Sequence, residues 1–258
     1  MQILPDGQRQ GRLEPMLRQA FAPLVDFVYP PRCPLCGTGI AAQTGLCPDC
    51  WGTLELPSQP SCNLCQRPFG NRVGEEGGIC GPCAASPPRH DGVYAGTIYN
   101  DASRKLVLAF KHGGKIALAA TLARLIAARL SAVEPPYLLV PVPLHRSRLW
   151  QRGYNQAALL ARELSNREGT TLLVDALRRR RATPSLGGLG RDDRASALRG
   201  AIAPNPARLN LIRGARIVLV DDVLTSGATS RECVKVLKSA GAVSVHLACF
   251  ARVLDPLP

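Results

Sequence analysis

No stretch of the 258 residues is apolar for long enough to cross a bilayer or to act as a secretory leader. The nearest candidate, residues 13–28, is interrupted by Arg18 and Asp26. Its Leu13, Leu17, Phe21, Leu24 and Val28 recur at helical spacing, which predicts a short amphipathic helix packed on its own domain. A cytoplasmic protein is expected. Two common nucleotide-binding signatures are also missing. There is no G-x-x-x-x-G-K-[ST], since AFKHGGKI lacks the first glycine and the hydroxyl, and there is no G-x-G-x-x-G. The sequence therefore offers neither a P-loop nor a dinucleotide fingerprint.

Carboxylates are scarce beside the cations: 19 Asp and Glu face 32 Lys and Arg, a formal charge of +13. The imbalance is local. Residues 1–90 carry 7 basic and 7 acidic side chains, whereas residues 140–200 carry 12 and 5. A basic surface in that second region attracts phosphates, nucleic acid or acidic lipid heads, although a solvated arginine-rich face has the same composition.

Cysteine is abundant and ordered. Eight of the ten cysteines form four Cys-x-x-Cys pairs: Cys33 and Cys36, Cys47 and Cys50, Cys62 and Cys65, Cys80 and Cys83. Each such turn aims two sulfurs at one point, and two turns complete a tetrahedron around Zn²⁺. Disulfides need an oxidising compartment, and a thioredoxin-like site needs one pair instead of four. Two structural zinc sites are expected, as two consecutive ribbons if neighbouring pairs combine. A crossed pairing uses the same eight thiolates. With four protein ligands each, neither site has a vacancy for catalysis. Cys233 and Cys249 fall in a predicted helix and strand and read as inert packing.

Beyond the proline-rich residues 85–92 the pattern alternates between strands and helices. Strands are predicted at 92–99, 137–143, 171–177, 216–223 and 243–253. Helices are predicted at 103–114, 117–130, 154–165 and 228–240. Apolar strands alternating with helices imply a parallel sheet covered on both faces. Residues 144–153, LHRSRLWQRG, read as a basic loop after a strand. Residues 178–200, RRRRATPSLGGLGRDDRASALRG, show no apolar period and read as a mobile functional loop.

The run RIVLVDDVLTSGATSREC, residues 216–233, concentrates the chemistry. Ligands of open parallel sheets bind beyond the carboxyl ends of the strands, where Asp221 and Asp222 fall. The small residues Thr225, Ser226, Gly227, Ala228, Thr229 and Ser230 then lead into a helix. Backbone N–H groups, hydroxyls and the positive helix end together make a phosphate cradle. Paired carboxylates cannot share that phosphate, but they suit hydroxyls or a Mg²⁺ a ribose-length away. A sugar carrying a 5′-phosphate meets both demands. An N-cap alone explains the hydroxyls and leaves the acids unexplained.

VLVDDVLTSGATS closely resembles the diphosphate-sugar (PRPP) motif of type I phosphoribosyltransferases. Together with the CPLCG ribbon start, SRKLVLAFKHGG and VPVPLHRSRLWQRGYNQA, it resembles the ComF family over nearly the whole chain. That resemblance implies an N-terminal helix (1–30), a double zinc ribbon (31–88) and a phosphoribosyltransferase-like α/β domain (89–258), with residues 178–200 as its hood. It implies that Asp221 and Asp222 hold ribose hydroxyls and that Thr225 to Ser230 hold the 5′-phosphate. Leu144, His145 and Arg146 would line the pyrophosphate loop, bordered by Arg152 and Asn155. The catalytic candidates are Asp221, Asp222 and Arg146, with Mg²⁺ accompanying PRPP. The hood departs from the family pattern, because Leu186 and Ala197 stand where a glutamine and an asparagine are expected; this weakens turnover more than binding.

The resemblance also implies a role in DNA uptake and single-stranded DNA handling during natural transformation, with a competence-machinery protein as partner. The alternatives are an active phosphoribosyltransferase with an unknown acceptor and a PRPP-sensing regulator. Residues 144–152 and Arg178 to Arg181 suit a phosphate backbone. Trp150 and Tyr154 can stack bases, although packing is the expected use of both. Of the four histidines only His145 falls in a site loop; His90, His112 and His246 read as structural.

Overall fold

The computed structural model describes residues 30–69, 78–112, 114–182 and 197–254. The helix expected over 13–28, and Thr183, Leu186 and Arg194 of the hood, lie outside the described residues. The chain divides into two compact units, Met1–Trp51 and Gly52–Pro258.

In the first unit the Cys33–Gly37 turn closes on itself. Gly37 N–H donates to Cys33 O (2.8 Å), Cys33 N–H donates to Thr38 O (2.7 Å), and Arg32 bridges to Gly39. Helix α1 (Pro48–Gly52) carries Cys50. The second unit opens with a turn of the same design: Gln66 N–H donates to Cys62 O (2.7 Å) and Ser61 bridges to Pro68. Helix α2 (Gly81–Ala85) carries Cys83. One position differs between the turns. Gly37 has φ +80°, which glycine adopts without strain, whereas Gln66 holds φ 54° with a full side chain. A contact offsets that strain: Gln66 Oε1 accepts from Ala95 N–H at 3.0 Å.

Ala95 lies in β1 (Gly92–Ile98), an outer strand of a five-stranded parallel sheet. The others are β2 (Leu138–Pro141), β3 (Thr171–Leu172), β6 (Arg216–Leu224) and β7 (Ser244–Arg252), in the order β1-β7-β6-β2-β3. An exposed strand edge invites foreign pairing. Here the second ribbon's flank covers it: Glu55 O accepts from Ile98 N–H (2.7 Å) and Thr97 Oγ1 (2.6 Å), and Thr53 O from Asn100 Nδ2 (2.8 Å).

Helices α4 (Leu118–Leu130) and α6 (Gln156–Glu168) pack together on one face of the sheet. Helix α8 (Ala228–Ser239) packs on the other, joined by a small two-stranded ribbon of residues 177–179 and 202–204. Because both faces are covered, the centre of β6 has no polar side: Ile217, Val218, Leu219 and Val220 are each at most 1% exposed. Helix α3 (Asp101–His112) follows β1 and buries Leu106 and Phe110 completely.

Three stretches depart from the sequence reading. Residues 146–152 form a helix, α5, and not a loop. Its N-cap His145 accepts from Ser147 N–H, and Gly153 ends it in the left-handed region. The strand expected over 171–177 stops at Leu172. There Asp175 pulls the chain aside, accepting from Asn205 Nδ2 (3.0 Å) and Arg208 Nε (2.9 Å). Part of the 178–200 segment is ordered backbone, with β4 (Leu177–Arg179) antiparallel to β5 (Ile202–Pro204). The chain then reaches β6 through short helix α7 (Leu209–Ile212). Among the described residues no helix is long and apolar enough to cross a membrane.

Strand order determines where a ligand fits. From β2 the chain crosses outward to β3, and from β6 it crosses the opposite way to β7. The adjacent pair β2 and β6 is therefore the topological switch point, and a crevice opens outside their carboxyl ends. Both the HRSRLWQR helix and the DDVLTSGATS turn leave the sheet at that crevice.

Candidate functional site

The eight paired cysteines form two clusters: Cys33, Cys36, Cys47 and Cys50 in one, Cys62, Cys65, Cys80 and Cys83 in the other. Neighbouring pairs combine, and the crossed arrangement is not adopted. Within each cluster the sulfurs lie within 4.8 Å of one another. The Cys36–Cys47 and Cys65–Cys80 Sγ pairs are both 3.5 Å apart. Four sulfurs about 2.3 Å from a tetrahedral Zn²⁺ stand about 3.8 Å apart, so the clusters fit zinc. Their protonation shows the same demand. The Thr38 hydroxyl and N–H lower the Cys36 thiol to about 6. At Cys62 burial works against ionisation, yet the N–H groups of Cys80, Leu64 and Cys65 hold it to about 7. The Cys50 and Cys83 thiols are pushed far up, Cys50 by its bond to Cys47 and Cys83 by burial. Four thiols at this spacing cannot all ionise without a cation. These are two structural zinc sites.

At the switch point β6 pairs with β7 along its length, but with β2 only as far as Val220. Past that level the carboxylates satisfy the strand's own amides. Asp221 Oδ1 accepts from Asp222 N–H (2.9 Å) and Asp222 Oδ1 from Val223 N–H (2.8 Å). Both acids thus lie inside the strand's last residues instead of beyond its end. Adjacent strand residues face opposite sides of a sheet. Asp222 is 9% exposed, and its Oδ2 meets Lys111 Nζ of α3 at 2.6 Å. Asp221 pairs in register with Cys249, and its charge acts on Arg179 and Cys233. Burial, reinforced by the Asp222 charge, raises the Asp221 carboxyl to about 8, with Lys111 pulling the other way.

The following turn has Gly227 at φ +68°, a conformation that favours glycine. Helix α8 starts at Ala228, and no side chain caps it. Its first-turn amides and positive dipole end face the crevice without competition from a cap. Ala228 and Ser230 are buried, Ser226 and Thr229 half-buried, and Thr225 is exposed. Arg231 Nη1 lies 3.8 Å from where a Cβ on Gly227 would stand, which adds positive charge over the turn.

Across the crevice, Leu144 and His145 are half-buried and Arg146 is exposed. Asn155 has both ends of its amide engaged: Nδ2 donates to Val142 O (3.0 Å) and Oδ1 accepts from Ala157 N–H (3.1 Å). It therefore fixes the loop after β2. Arg152 Nη1 contacts Gln156 Oε1 at 3.4 Å. Arg181 bridges the two limbs of the hood through the carbonyls of Arg199 (2.9 Å) and Ala197 (3.5 Å). Tyr154 packs, as expected: its hydroxyl donates to Phe110 O and the two rings lie 6.2 Å apart. Trp150 does not pack, being 89% exposed. His90 and His246 lie near the amino ends of the strands, away from the crevice. Burial lowers both, His90 to about 4. Cys233 and Cys249 are fully buried.

Sequence reasoning missed Lys111 and Arg231, and it read Arg179 only as part of a basic run. Lys111 lies within the AFKHGG run, and its position two residues before a pair of glycines was the available signal. Two outcomes follow. Replacing Lys111 with Met leaves Asp222 without its cation and costs about 2–3 kcal/mol, somewhat below a fully buried pair because both groups retain some exposure. The Lys111→Met/Asp222→Asn double variant then loses about 1–2 kcal/mol less than the two singles together in urea melts; strict additivity would show that the pair is not coupled.

The second outcome concerns pH. Folded Asp221 keeps its proton to about 8, while the unfolded residue releases it near 3.8. Its contribution to stability is complete below pH 4 and is lost as pH rises through 8. Between pH 5 and 9 the wild type therefore loses stability relative to Asp221→Asn, a comparison in which the histidines cancel. Parallel curves for the two proteins would contradict that shift.

Residues 24–85 match the double zinc ribbon domain family and residues 151–256 the phosphoribosyl transferase domain family. Competence protein F of Haemophilus influenzae is 32% identical over 217 residues, covering 82% of this chain and 92% of that protein. DNA utilization protein YhgH of Salmonella typhimurium is 30% identical over 229 residues, or 86% and 90% of the two chains. Among solved structures, the allosteric regulatory enzyme of purine biosynthesis overlays with a TM-score of 0.34 and 23% identity, covering 51% of this chain and 25% of that one. That overlay is too loose to bear on function. The 32% identity across nearly all of competence protein F, with both domain matches in order, establishes that this chain belongs to the ComF family.

Proposed function

We propose that this protein is a cytoplasmic handler of single-stranded DNA in natural transformation, with a PRPP-type sugar-phosphate site on the edge that carries its basic helix. The observation behind this reading is the convergence at the switch point: the uncapped start of α8, the Asp221–Asp222 pair and the arginine-bearing α5 all emerge beside one crevice. The names of the relatives, competence protein F and DNA utilization protein, support the cellular role.

In this reading the α8 amides and the Thr225, Ser226, Thr229 and Ser230 hydroxyls hold a 5′-phosphate. Asp221 and Asp222 accept from the ribose hydroxyls, with Lys111 holding Asp222 in place. Arg146 and the backbone at Leu144 and His145 face the pyrophosphate, while Asn155 and Arg152 keep that loop in register. The two acids, Asp221 on losing its proton to the cation, and the hydroxyl-rich turn also suit Mg²⁺, which when bound supplies neutralisation of the diphosphate charge. These groups donate to anions and accept from hydroxyls, which is what holding a sugar phosphate requires.

Salt dependence tests the DNA role. If about four to six phosphates are neutralised, affinity for a single-stranded oligonucleotide falls about 50- to 300-fold between 50 and 200 mM salt. Arg146→Ala lowers the log–log slope by about 0.7. Fluorescence anisotropy over that salt range measures both. No binding at 50 mM salt, or affinity indifferent to salt, would remove DNA as the ligand.

A further inference from the structure

Trp150 is the one described aromatic side chain that is almost wholly in solvent, at 89% exposure, while the rings of Phe110 and Phe250 are fully buried. A single exposed apolar residue needs no explanation by itself. The surroundings of this one provide a reason. Trp150 sits on α5 between Arg146, Arg148 and Arg152, and no carboxylate occurs from Pro135 to Arg162. Residues four apart share a helix face with Cβ atoms about 5–6 Å apart, so Arg146 and Trp150 project side by side. Arg146 is also exposed. The short helix is held from below: Asn155 ties its base to Val142, and Tyr154 ties the next residues to Phe110. The indole therefore stands on a fixed platform beside the crevice.

We propose that Trp150 is a base-stacking platform for single-stranded nucleic acid, with Arg146 contacting the phosphate of the same strand. The charge of the helix selects the partner. A cationic face repels a second copy of itself and a basic peptide, whereas a single strand offers both an anionic backbone and unpaired π-faces. A stacked indole contributes to affinity regardless of base, which suits a protein that handles incoming strands without reading them. This inference rests on the DNA-handling reading above and adds to it the residue that meets the bases.

The chain has two tryptophans, Trp51 and Trp150, so a Trp51→Phe protein reports on Trp150 alone. Titrating that full-length, zinc-loaded protein with oligo(dT) is expected to quench its indole emission. In anisotropy, Trp150→Ala is expected to weaken oligo(dT) binding about 5- to 100-fold, while Trp150→Phe keeps most of it. An abasic oligonucleotide of equal length is expected to bind wild type no better than Trp150→Ala binds oligo(dT). Binding of oligo(dT) with unchanged emission and unchanged affinity in Trp150→Ala would overturn stacking and leave the DNA-handling reading intact. No binding by any variant would overturn both. Self-association in sedimentation that Trp150→Ala abolishes would overturn the proposal and assign the indole to a contact between copies.

Discussion

The arrangement of this protein's site depends on unequal pairing along β6. Hydrogen bonding to β7 continues to Leu224, whereas pairing with β2 ends at Val220. Where the second partner leaves, the amides of Asp222 and Val223 turn to the carboxylates of the residues just before them. That local satisfaction fixes two acids that would otherwise rotate freely, and strand alternation sends them to different sides. One is met by Lys111, reaching over from α3. The other keeps its proton into the neutral range, because burial and its charged neighbour oppose ionisation. A ligand that donates hydroxyls therefore meets two acceptors of unlike character, already oriented.

The zinc-binding sequence is not an independent appendage throughout. In the second unit the ribbon flank supplies acceptors to the outer edge of β1 at Glu55 and Gln66, and a third at Thr53 to Asn100 just past the strand. Gln66 shows how the arrangement is stabilised. It adopts a backbone conformation that costs a non-glycine residue about 1 kcal/mol or more, and its side chain binds a strand amide that would otherwise face outward unpaired. Sheet edge and metal cluster are thus parts of one folded body. The four buried thiols of that cluster, with Leu64 and Phe69 against them, act as its small core.

Much of this was legible from the amino-acid string because the signals were periodic or spaced. Cys-x-x-Cys pairs announce their geometry, and strands buried on both faces read as unbroken apolar runs. The small-residue run after Asp221 and Asp222 marks the turn into α8, where the structure has Gly227 in the left-handed region and no side-chain cap. Legibility failed where the deciding partner is distant in sequence. Nothing around Asp222 reveals that Lys111 will neutralise it, since only the α3 approach brings them together. LHRSRLWQRG looks like a loop because arginines and a glycine dominate it, yet a histidine cap and a left-handed glycine close it into a helix. The break after Leu172 depends on Asn205 and Arg208, some thirty residues further along. Trp150 was misjudged for another reason: exposure is a property of the folded surface, and composition favours burial for any indole.

The central claim is that the switch-point crevice holds a sugar carrying both a diol and a phosphate. Calorimetric titration of Mg²⁺–PRPP into the zinc-loaded protein, beside an Asp221→Asn/Asp222→Asn variant shown to be folded, tests it most directly. The account predicts saturable one-site binding by the wild type, lost or weakened at least tenfold in the variant. Absence of heat and of any thermal stabilisation in the wild type would contradict the account, and so would equal binding by both proteins.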